Sequence, residues 1–153
     1  MSLDSSTPRS VGETDYVPIW DPEAAGPVEA GVDAIEIERI KATLDRFGER
    51  FLRRVFTERE AARYGKRPAE LAARFAAKEA VMKALGTGVR GIRWRDIEVV
   101  SNRRGKPIVV LHETAARRAR LLGFRHIGIS LTHSRTDAIA MVVATRLHTN
   151  DEE

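Results

Sequence analysis

The sequence predicts an α+β fold, a single domain built from a mostly antiparallel sheet and a long central helix. Apolar residues recur at helical spacing through the first half of the chain, and β-branched residues alternate between turn signals in the second half. With 153 residues, of which 42% are hydrophobic, the chain is long enough for one core. We therefore expect about four helices and about five strands.

The first half begins with a predicted strand over residues 28–33 and continues with short helices. The first helix is indicated by apolar residues at spacings of 3, 4 and 3, namely Ile37, Ile40, Leu44 and Phe47. Residues 51–56 predict one or two further helical turns. Thr57 and Glu60 have the spacing of a capping box, which opens another short helix.

A long helix is predicted from Pro68, which suits a first helical turn, to the C-terminal cap at Gly86. One face carries an apolar stripe and the opposite face carries alanines, so we expect packing on both sides. The stripe contains Leu71, Phe75, Met82 and Leu85, and the alanines are Ala73, Ala76, Ala77, Ala80 and Ala84. Lys78 falls inside the stripe, and Glu79 and Lys83 share the flank. Because a buried unpaired charge is costly, these charged residues need partners and indicate a functional site.

The second half of the chain consists mainly of predicted strands. The elements are, in order, hairpin strands over 96–100 and 107–111, a basic helix over 113–122, and paired strands over 127–131 and 138–144. Gly105, Gly123 and the polar run 133–136 mark the turns. We expect the folded domain to span residues 28–147, with a flexible extension over 1–27 and a disordered tail over 148–153.

Composition excludes several function classes. The chain has no cysteine, so disulfides, thiolate metal sites and cysteine nucleophiles are ruled out. No apolar run reaches transmembrane length and no signal-peptide pattern is visible, so we expect a cytoplasmic protein without a membrane partner. The net charge is +4, and clustered arginines favour phosphate or acidic-protein partners.

Two carboxylates favour a magnesium site. Asp33 lies at the predicted end of the first strand, and Glu79 lies in the long helix. Magnesium prefers oxygen ligands and needs few protein carboxylates beside a phosphorylated substrate. The spacing also allows simpler roles, which are an ion pair between Glu79 and Lys83 and a helix N-cap for Asp33.

Other candidate residues also have structural alternatives. The glycines Gly86, Gly88 and Gly91 form either a phosphate cradle or a plain helix cap followed by a flexible loop. His133, in a polar turn, is either functional or a solvated turn residue. No nucleophile elbow accompanies it, and the histidines do not stand at zinc-ligand spacing, so a triad hydrolase and a zinc hydrolase are not expected.

These features occur together in the order of a known family. The chain contains Gly31-Val32-Asp33, Arg74-Phe75-Ala76-Ala77-Lys78-Glu79-Ala80, Lys83-Ala84-Leu85-Gly86-Thr87-Gly88, Gly105-Lys106-Pro107 and Ile129-Ser130-Leu131-Thr132-His133-Ser134. From residue 28 to about residue 146 the series closely resembles the holo-[acyl-carrier-protein] synthases, the short group of 4′-phosphopantetheinyl transferases. The resemblance implies a Mg²⁺-dependent enzyme of fatty-acid and lipid biosynthesis that transfers 4′-phosphopantetheine from coenzyme A to a serine of apo-acyl-carrier protein. It also implies release of adenosine 3′,5′-bisphosphate and a homotrimer with active sites at subunit interfaces.

The resemblance implies roles for individual residues. Asp33 and Glu79 match the metal ligands, and Lys83 matches a lysine that contacts the diphosphate, so these three form the expected catalytic set. Arg74 and His133 match residues near the 3′-phosphate of coenzyme A. To the coenzyme-binding set we add Gly86, through its backbone N–H, and Lys78, which we expect to snorkel toward the coenzyme. The implied carrier-protein surface contains Arg39, Arg46, Arg50, Arg53 and Arg54.

The implied mechanism needs no nucleophile from this chain, because the carrier protein supplies a serine hydroxyl. Magnesium would neutralise the diphosphate, and Glu79 or a water molecule that it orients would accept the serine proton. Lys83 would stabilise the departing bisphosphate.

Two other classes of protein stay open at this point. A small basic nucleic-acid-binding domain fits the arginine content, but aromatic residues make up only 6% of the chain and no strand interleaves them for base stacking. A catalytically silent interaction protein fits the fold, but the intact Asp33, Glu79 and Lys83 argue against it. We therefore expect no nucleic-acid partner.

Overall fold

The computed structural model describes residues 26–146, and its elements follow the predicted order. The strands are β1 (Val28–Glu36), β2 (Ile97–Ser101), β3 (Pro107–Leu111), β4 (His126–His133) and β5 (Asp137–Thr145). The helices are α1 (Ile37–Phe47), α2 (Glu49–Val55), α3 (Glu58–Tyr64), α4 (Pro68–Ala84) and α5 (Glu113–Leu121), with a 3₁₀ turn at Trp94–Asp96. The predicted α+β class is confirmed, with five α-helices in this part of the chain instead of about four. None of these helices is long and apolar enough to cross a membrane.

The predicted domain boundaries stay predictions at both ends. Residues 1–25 of the expected extension and the expected tail over 148–153 lie outside the described residues. Within the described part, Arg146 donates hydrogen bonds to the carbonyl oxygens of Gly26 and Pro27. The two ends of the described chain therefore lie side by side.

The strands form two separate antiparallel sheets. A three-stranded sheet has the order β1-β5-β4, and β2 and β3 form the predicted hairpin. In the larger sheet Asp33 pairs with Ala140, which in turn pairs with Leu131. Paired residues of antiparallel strands point to the same face, so these three side chains lie on one side of the sheet.

Helix α4 is packed on both sides, as its sequence predicts. One side meets the inner face of the larger sheet, where β5 contributes the fully buried Ala138, Ala140, Val142 and Ala144. The other side meets β2 and the 3₁₀ turn through Arg74 and Lys78. Small residues on both α4 and β5 allow helix and sheet to approach closely.

The closest approach of β1 to α4 occurs at Gly31. A Cβ atom at this position would lie 1.9 Å from the carbonyl oxygen of Ala80 and 3.1 Å from the backbone nitrogen of Ala84. A contact of this kind leaves no room for any side chain. Gly31 therefore fixes β1 against the C-terminal half of α4, and Asp33 follows two residues later on the same face.

Two predicted boundaries were too short, and both affect candidate site residues. β1 continues to Glu36, which is the N-cap position of α1, so Asp33 lies inside the strand and is not a helix cap. β4 continues to His133, so this histidine ends a strand instead of standing in the turn. In both cases pairing with β5 extends the hydrogen-bonded ladder and overrides the turn preference of short polar residues.

We expect Gly31→Ala to lower the free energy of unfolding by about 1–3 kcal/mol or more, because the added methyl group overlaps the backbone of α4. Urea unfolding followed by circular dichroism measures the change. Gly128→Ala is the matched control, since a Cβ there has its nearest neighbour, the carbonyl oxygen of Val143, at 3.9 Å. Equal stability of the two variants would contradict the close-approach argument.

Candidate active site

Asp33 and Glu79, which the sequence could not place together, meet where β1 crosses α4. Burial raises the pKa of Glu79, and hydrogen bonding with Asp33 and its negative charge raise this pKa further, to about 7. The positive charges of Lys83 and Arg39 oppose the increase. The two carboxyl groups therefore form a close pair in which Glu79 titrates near neutral pH.

Lys83 completes the cluster through an ion pair with Asp33. Its ammonium group donates to Oδ1 of Asp33 at 3.0 Å and to the carbonyl oxygen of Val32 at 2.8 Å. The lysine side chain is 54% exposed, whereas that of Asp33 is only 13% exposed. Lys83 thus binds across to the strand, and within the described residues its ion-pair partner is Asp33 instead of Glu79.

The donor set fits a magnesium ion that protein and substrate hold jointly. Within residues 26–146 no three His, Cys, Asp or Glu side chains are grouped to hold a metal ion on their own. Magnesium in phosphoryl-transfer sites uses one or two carboxylates and takes its other ligands from water and phosphate. Burial and the neighbouring Asp33 raise the pKa of Glu79, and a cation held by Asp33 and Glu79 would relieve the repulsion between the two carboxylates.

The loop after α4 contains three glycines with positive φ. Gly86, Gly88 and Gly91 have φ values of 70°, 54° and 78°, which glycine adopts readily. The C-cap of α4 is Leu85, one residue before the predicted Gly86, and Gly86 follows it in the left-handed region. The N–H of Gly86 donates to the carbonyl oxygen of Lys83 at 3.0 Å. Because this N–H is already hydrogen-bonded within the helix end, it is not free for the expected contact with a phosphate.

We expected Lys78 to snorkel toward the coenzyme, but its side chain is fully buried. Its ammonium group donates to Oε1 of Glu60 at 2.8 Å, to the carbonyl oxygen of Trp94 at 3.2 Å and to that of Ile97. Burial lowers the pKa of Lys78, although the charge of Glu60 opposes this effect. With three acceptors for its three protons, Lys78 has no donor left for a coenzyme, and its role in the described chain is structural.

Glu60 is the residue whose importance the sequence analysis missed. Beyond its predicted capping contact with Thr57, its second oxygen accepts the N–H of Val99 at 3.2 Å. The carboxylate thus joins α3, α4 and β2. The only signal was indirect, because a lysine inside an apolar stripe requires a buried acidic partner whose position the spacing does not reveal.

Within this chain, Arg74 and His133 lie apart from the carboxylate pair. Arg74 is buried, and its guanidinium donates to Glu70 at 2.7 Å and to the carbonyl oxygen of Val99 at 3.2 Å. It lies about 140° around α4 from Glu79. His133 is exposed at the end of β4, two strands from Asp33 and two residues further along, a Cα separation of roughly 12 Å. Their predicted contacts with the 3′-phosphate stay predictions.

The predicted carrier-protein arginines form an exposed basic surface on α1 and α2. All five are exposed, namely Arg39, Arg46, Arg50, Arg53 and Arg54. Glu49 pairs with Arg53 at 3.9 Å, and the other four form no ion pair within the described part of the chain. Arg39 is close enough to the carboxylate pair to lower the pKa of Glu79, so the basic surface reaches the candidate site.

An open cleft of about 1180 Å³ lies beside the 3₁₀ turn, away from the Asp33–Glu79 pair. Burial alone would raise the pKa of Asp96, but hydrogen bonds from Thr114 and Arg93 hold it below its usual value. The pKa of Glu98 is likewise lowered, because hydrogen bonds from Thr57 and other neighbours outweigh its burial. Both carboxylates are therefore already hydrogen-bonded within the protein.

The sequence and the fold match known proteins. Residues 29–140 match the family model of the 4′-phosphopantetheinyl transferase superfamily. The chain is 51% identical over 120 residues to a holo-[acyl-carrier-protein] synthase of Herpetosiphon aurantiacus, which covers 74% of this chain and 94% of the relative. Its fold is similar to that of the Helicobacter pylori holo-[acyl-carrier-protein] synthase in complex with coenzyme A, with a TM-score of 0.70 and 27% sequence identity. The match covers 76% of this chain and 99% of the Helicobacter pylori chain. The Bacillus anthracis enzyme, in complex with coenzyme A (3′,5′-ADP), matches with a TM-score of 0.63 and 34% sequence identity. The match covers 76% of this chain and 95% of the Bacillus anthracis chain.

The chain therefore belongs to the 4′-phosphopantetheinyl transferase superfamily and, within it, to the holo-[acyl-carrier-protein] synthase group. This membership confirms the resemblance seen in the sequence and the enzyme class that it implied. It decides in favour of a transferase over a nucleic-acid-binding domain.

We expect the metal-free protein to lose stability as the pH rises from about 4.5 to about 7, relative to its Glu79→Gln variant. In this interval the folded protein keeps the proton of Glu79, whose pKa is raised to about 7, while the unfolded chain releases it near 4.5. Thermal unfolding with a chelator, measured at several pH values for both proteins, gives the difference. Glu58→Gln, which removes an exposed glutamate on α3, is the control. A pH-independent difference for Glu79→Gln would contradict the raised pKa.

Proposed function

We propose that this chain is a Mg²⁺-dependent holo-[acyl-carrier-protein] synthase that transfers 4′-phosphopantetheine from coenzyme A to a serine of apo-acyl-carrier protein. The observation that carries the proposal is the Asp33, Glu79 and Lys83 cluster in a member of this family. The solved relatives contain coenzyme A, which supports the same substrate here. A catalytically inactive member of the family would have no need to retain two carboxylates that repel each other. We further infer a cytoplasmic role in fatty-acid and lipid biosynthesis.

The chemistry of the step assigns a task to each residue of the cluster. When bound by Asp33 and Glu79, Mg²⁺ would neutralise the diphosphate and stabilise the charge that develops as the phosphoanhydride breaks. Glu79, or a water molecule that it orients, accepts the proton of the carrier serine as its oxygen forms a bond to phosphorus. Lys83 donates to the departing adenosine 3′,5′-bisphosphate, which takes the electron pair of the broken P–O bond.

The basic surface on α1 and α2 is the proposed docking site for the carrier protein. Four of its five arginines have no acidic partner within the described residues, so their charges are available to acidic groups. Arg39 is the member of this surface whose charge acts on Glu79, because it opposes the increase of the Glu79 pKa. A carrier protein bound here would present its serine next to the carboxylate pair.

We propose a homotrimer that buries the outer face of the larger sheet. This face exposes Val32, Ile139 and Met141 to 58%, 42% and 51%, and the neighbouring Ala30 and Ala34 are also exposed. A contiguous apolar face of this kind is typical of an interface between subunits. The separation of the exposed His133 from Asp33 supports active sites between subunits, since His133 would reach a coenzyme bound mainly by a neighbour.

We expect Asp33→Asn and Glu79→Gln to lower the transfer rate at least about a hundredfold while both proteins stay folded, because each removes one ligand of the proposed metal site. The protein is incubated with coenzyme A, Mg²⁺ and an apo-carrier protein, and the carrier is weighed by mass spectrometry. Glu58→Gln is the matched control and should transfer at the wild-type rate, and a chelator should stop the transfer. Wild-type rates in both site variants would refute the metal assignment.

In the same assay, the double variant Arg50→Gln/Arg54→Gln should raise the KM for the carrier protein several-fold and leave kcat nearly unchanged, because these residues contribute charge and do not touch the reacting atoms. Arg120→Gln, an exposed arginine on α5, is the control. A KM equal to that of the wild type would place the docking site elsewhere.

We expect Met141→Glu to convert the trimer into monomers, because it introduces a charge at the centre of the apolar sheet face. Sedimentation equilibrium measures the mass in solution. Leu121→Glu is the control, since Leu121 is 76% exposed on α5, outside the sheet, and its substitution should leave the trimer intact. A monomeric wild-type protein, or a trimeric Met141→Glu variant, would contradict this interface.

A further inference from the structure

We propose that Lys83 is a displaceable counterion that makes binding of the metal and binding of coenzyme A cooperative. Without ligands it occupies Asp33, one half of the proposed metal site, and the coenzyme diphosphate draws it away. The inference rests on the proposed function and goes beyond it, because it assigns Lys83 a second role before any chemistry occurs.

The position of the ammonium group is the first argument. Nζ of Lys83 donates to Oδ1 of Asp33 at 3.0 Å and to the carbonyl oxygen of Val32 at 2.8 Å. Asp33 is only 13% exposed and uses Oδ1 for this bond. A divalent cation that binds Asp33 and Glu79 therefore meets a positive charge already bound to one of its two ligands.

The second argument is that Lys83 is free to move away from Asp33, in contrast to Lys78 on the same helix. Lys78 is fully buried with three acceptors, so its departure would leave Glu60 as an unpaired buried charge. Lys83 is 54% exposed, and its flexible side chain can turn away into solvent at little cost. The chain thus has one fixed lysine and one displaceable lysine on opposite sides of α4.

The charges around the pair define what displacement requires. Glu79 and Asp33 face Lys83 from α4 and β1, and Arg39 of α1 adds a further positive charge near Glu79. A metal ion alone must overcome the repulsion of the Lys83 ammonium group, which weakens its binding. Coenzyme A brings a diphosphate that accepts the displaced ammonium group, so each ligand favours binding of the other by the same factor.

The experiment measures Mn²⁺ binding, by electron paramagnetic resonance of the free ion, to the full chain at pH 8.5 with and without coenzyme A. We expect Lys83→Gln to bind Mn²⁺ alone about tenfold more tightly than the wild type, because removal of a nearby positive charge favours a cation. The factor by which coenzyme A tightens Mn²⁺ binding should decrease, leaving only the attraction of the diphosphate itself. Lys83→Arg, which keeps the charge, should stay close to the wild type.

Two controls make the result decisive. Lys41→Gln removes an equal charge from an exposed position on α1 and should leave Mn²⁺ binding unchanged. Asp33→Asn should weaken it. If Asp33→Asn weakens binding but Lys83→Gln binds Mn²⁺ no more tightly than the wild type, the counterion role is refuted. If Asp33→Asn leaves Mn²⁺ binding unchanged, the metal assignment fails and this inference with it. Failure of the wild type to modify an apo-carrier protein would instead refute the proposed function.

Discussion

The arrangement of this protein depends on the contact between β1 and α4 at Gly31. Only a residue without a side chain allows the strand to lie against the backbone of Ala80, where a Cβ atom would be 1.9 Å from the carbonyl oxygen. Because side chains alternate along a strand, residue 33 then faces α4 again. Asp33 consequently meets Glu79 and Lys83, which stand on successive turns of that helix. A steric constraint on the backbone thus decides the geometry of the candidate active site.

Helix α4 carries two groups of charges, and burial gives them different roles. On the side of the hairpin, Lys78 and Glu60 are both fully buried and all their partners belong to the protein. Removing one member would leave the other as an unpaired charge in the interior, so this pair fixes how α3, α4 and β2 pack together. On the side of the larger sheet, Asp33, Glu79 and Lys83 remain partly exposed. Their charges are only partly compensated, which is consistent with the proposed binding of a cation and a phosphate there.

Local patterns predicted the elements well and their ends less well. The Thr57–Glu60 capping box and the two-sided packing of α4 follow from local sequence patterns, and the structure confirms them. The C-cap of α4 lies at Leu85, one residue before the predicted Gly86. The strand containing Asp33 and the strand ending at His133 were predicted too short. Their extra residues are held by hydrogen bonds to β5, a partner that is distant in sequence and that no local pattern reveals.

The sequence is enough to predict the α+β class, the family and the three residues expected at the metal site, because each prediction rests on residue types in a fixed order. It did not determine which charges meet. Lys78 and Lys83 look alike as lysines on one helix, and either could have faced the coenzyme. Only the tertiary structure pairs Lys78 with Glu60 and Lys83 with Asp33. The pairing depends on which side of α4 each lysine occupies and on what packs there, and that is a property of the assembled layers.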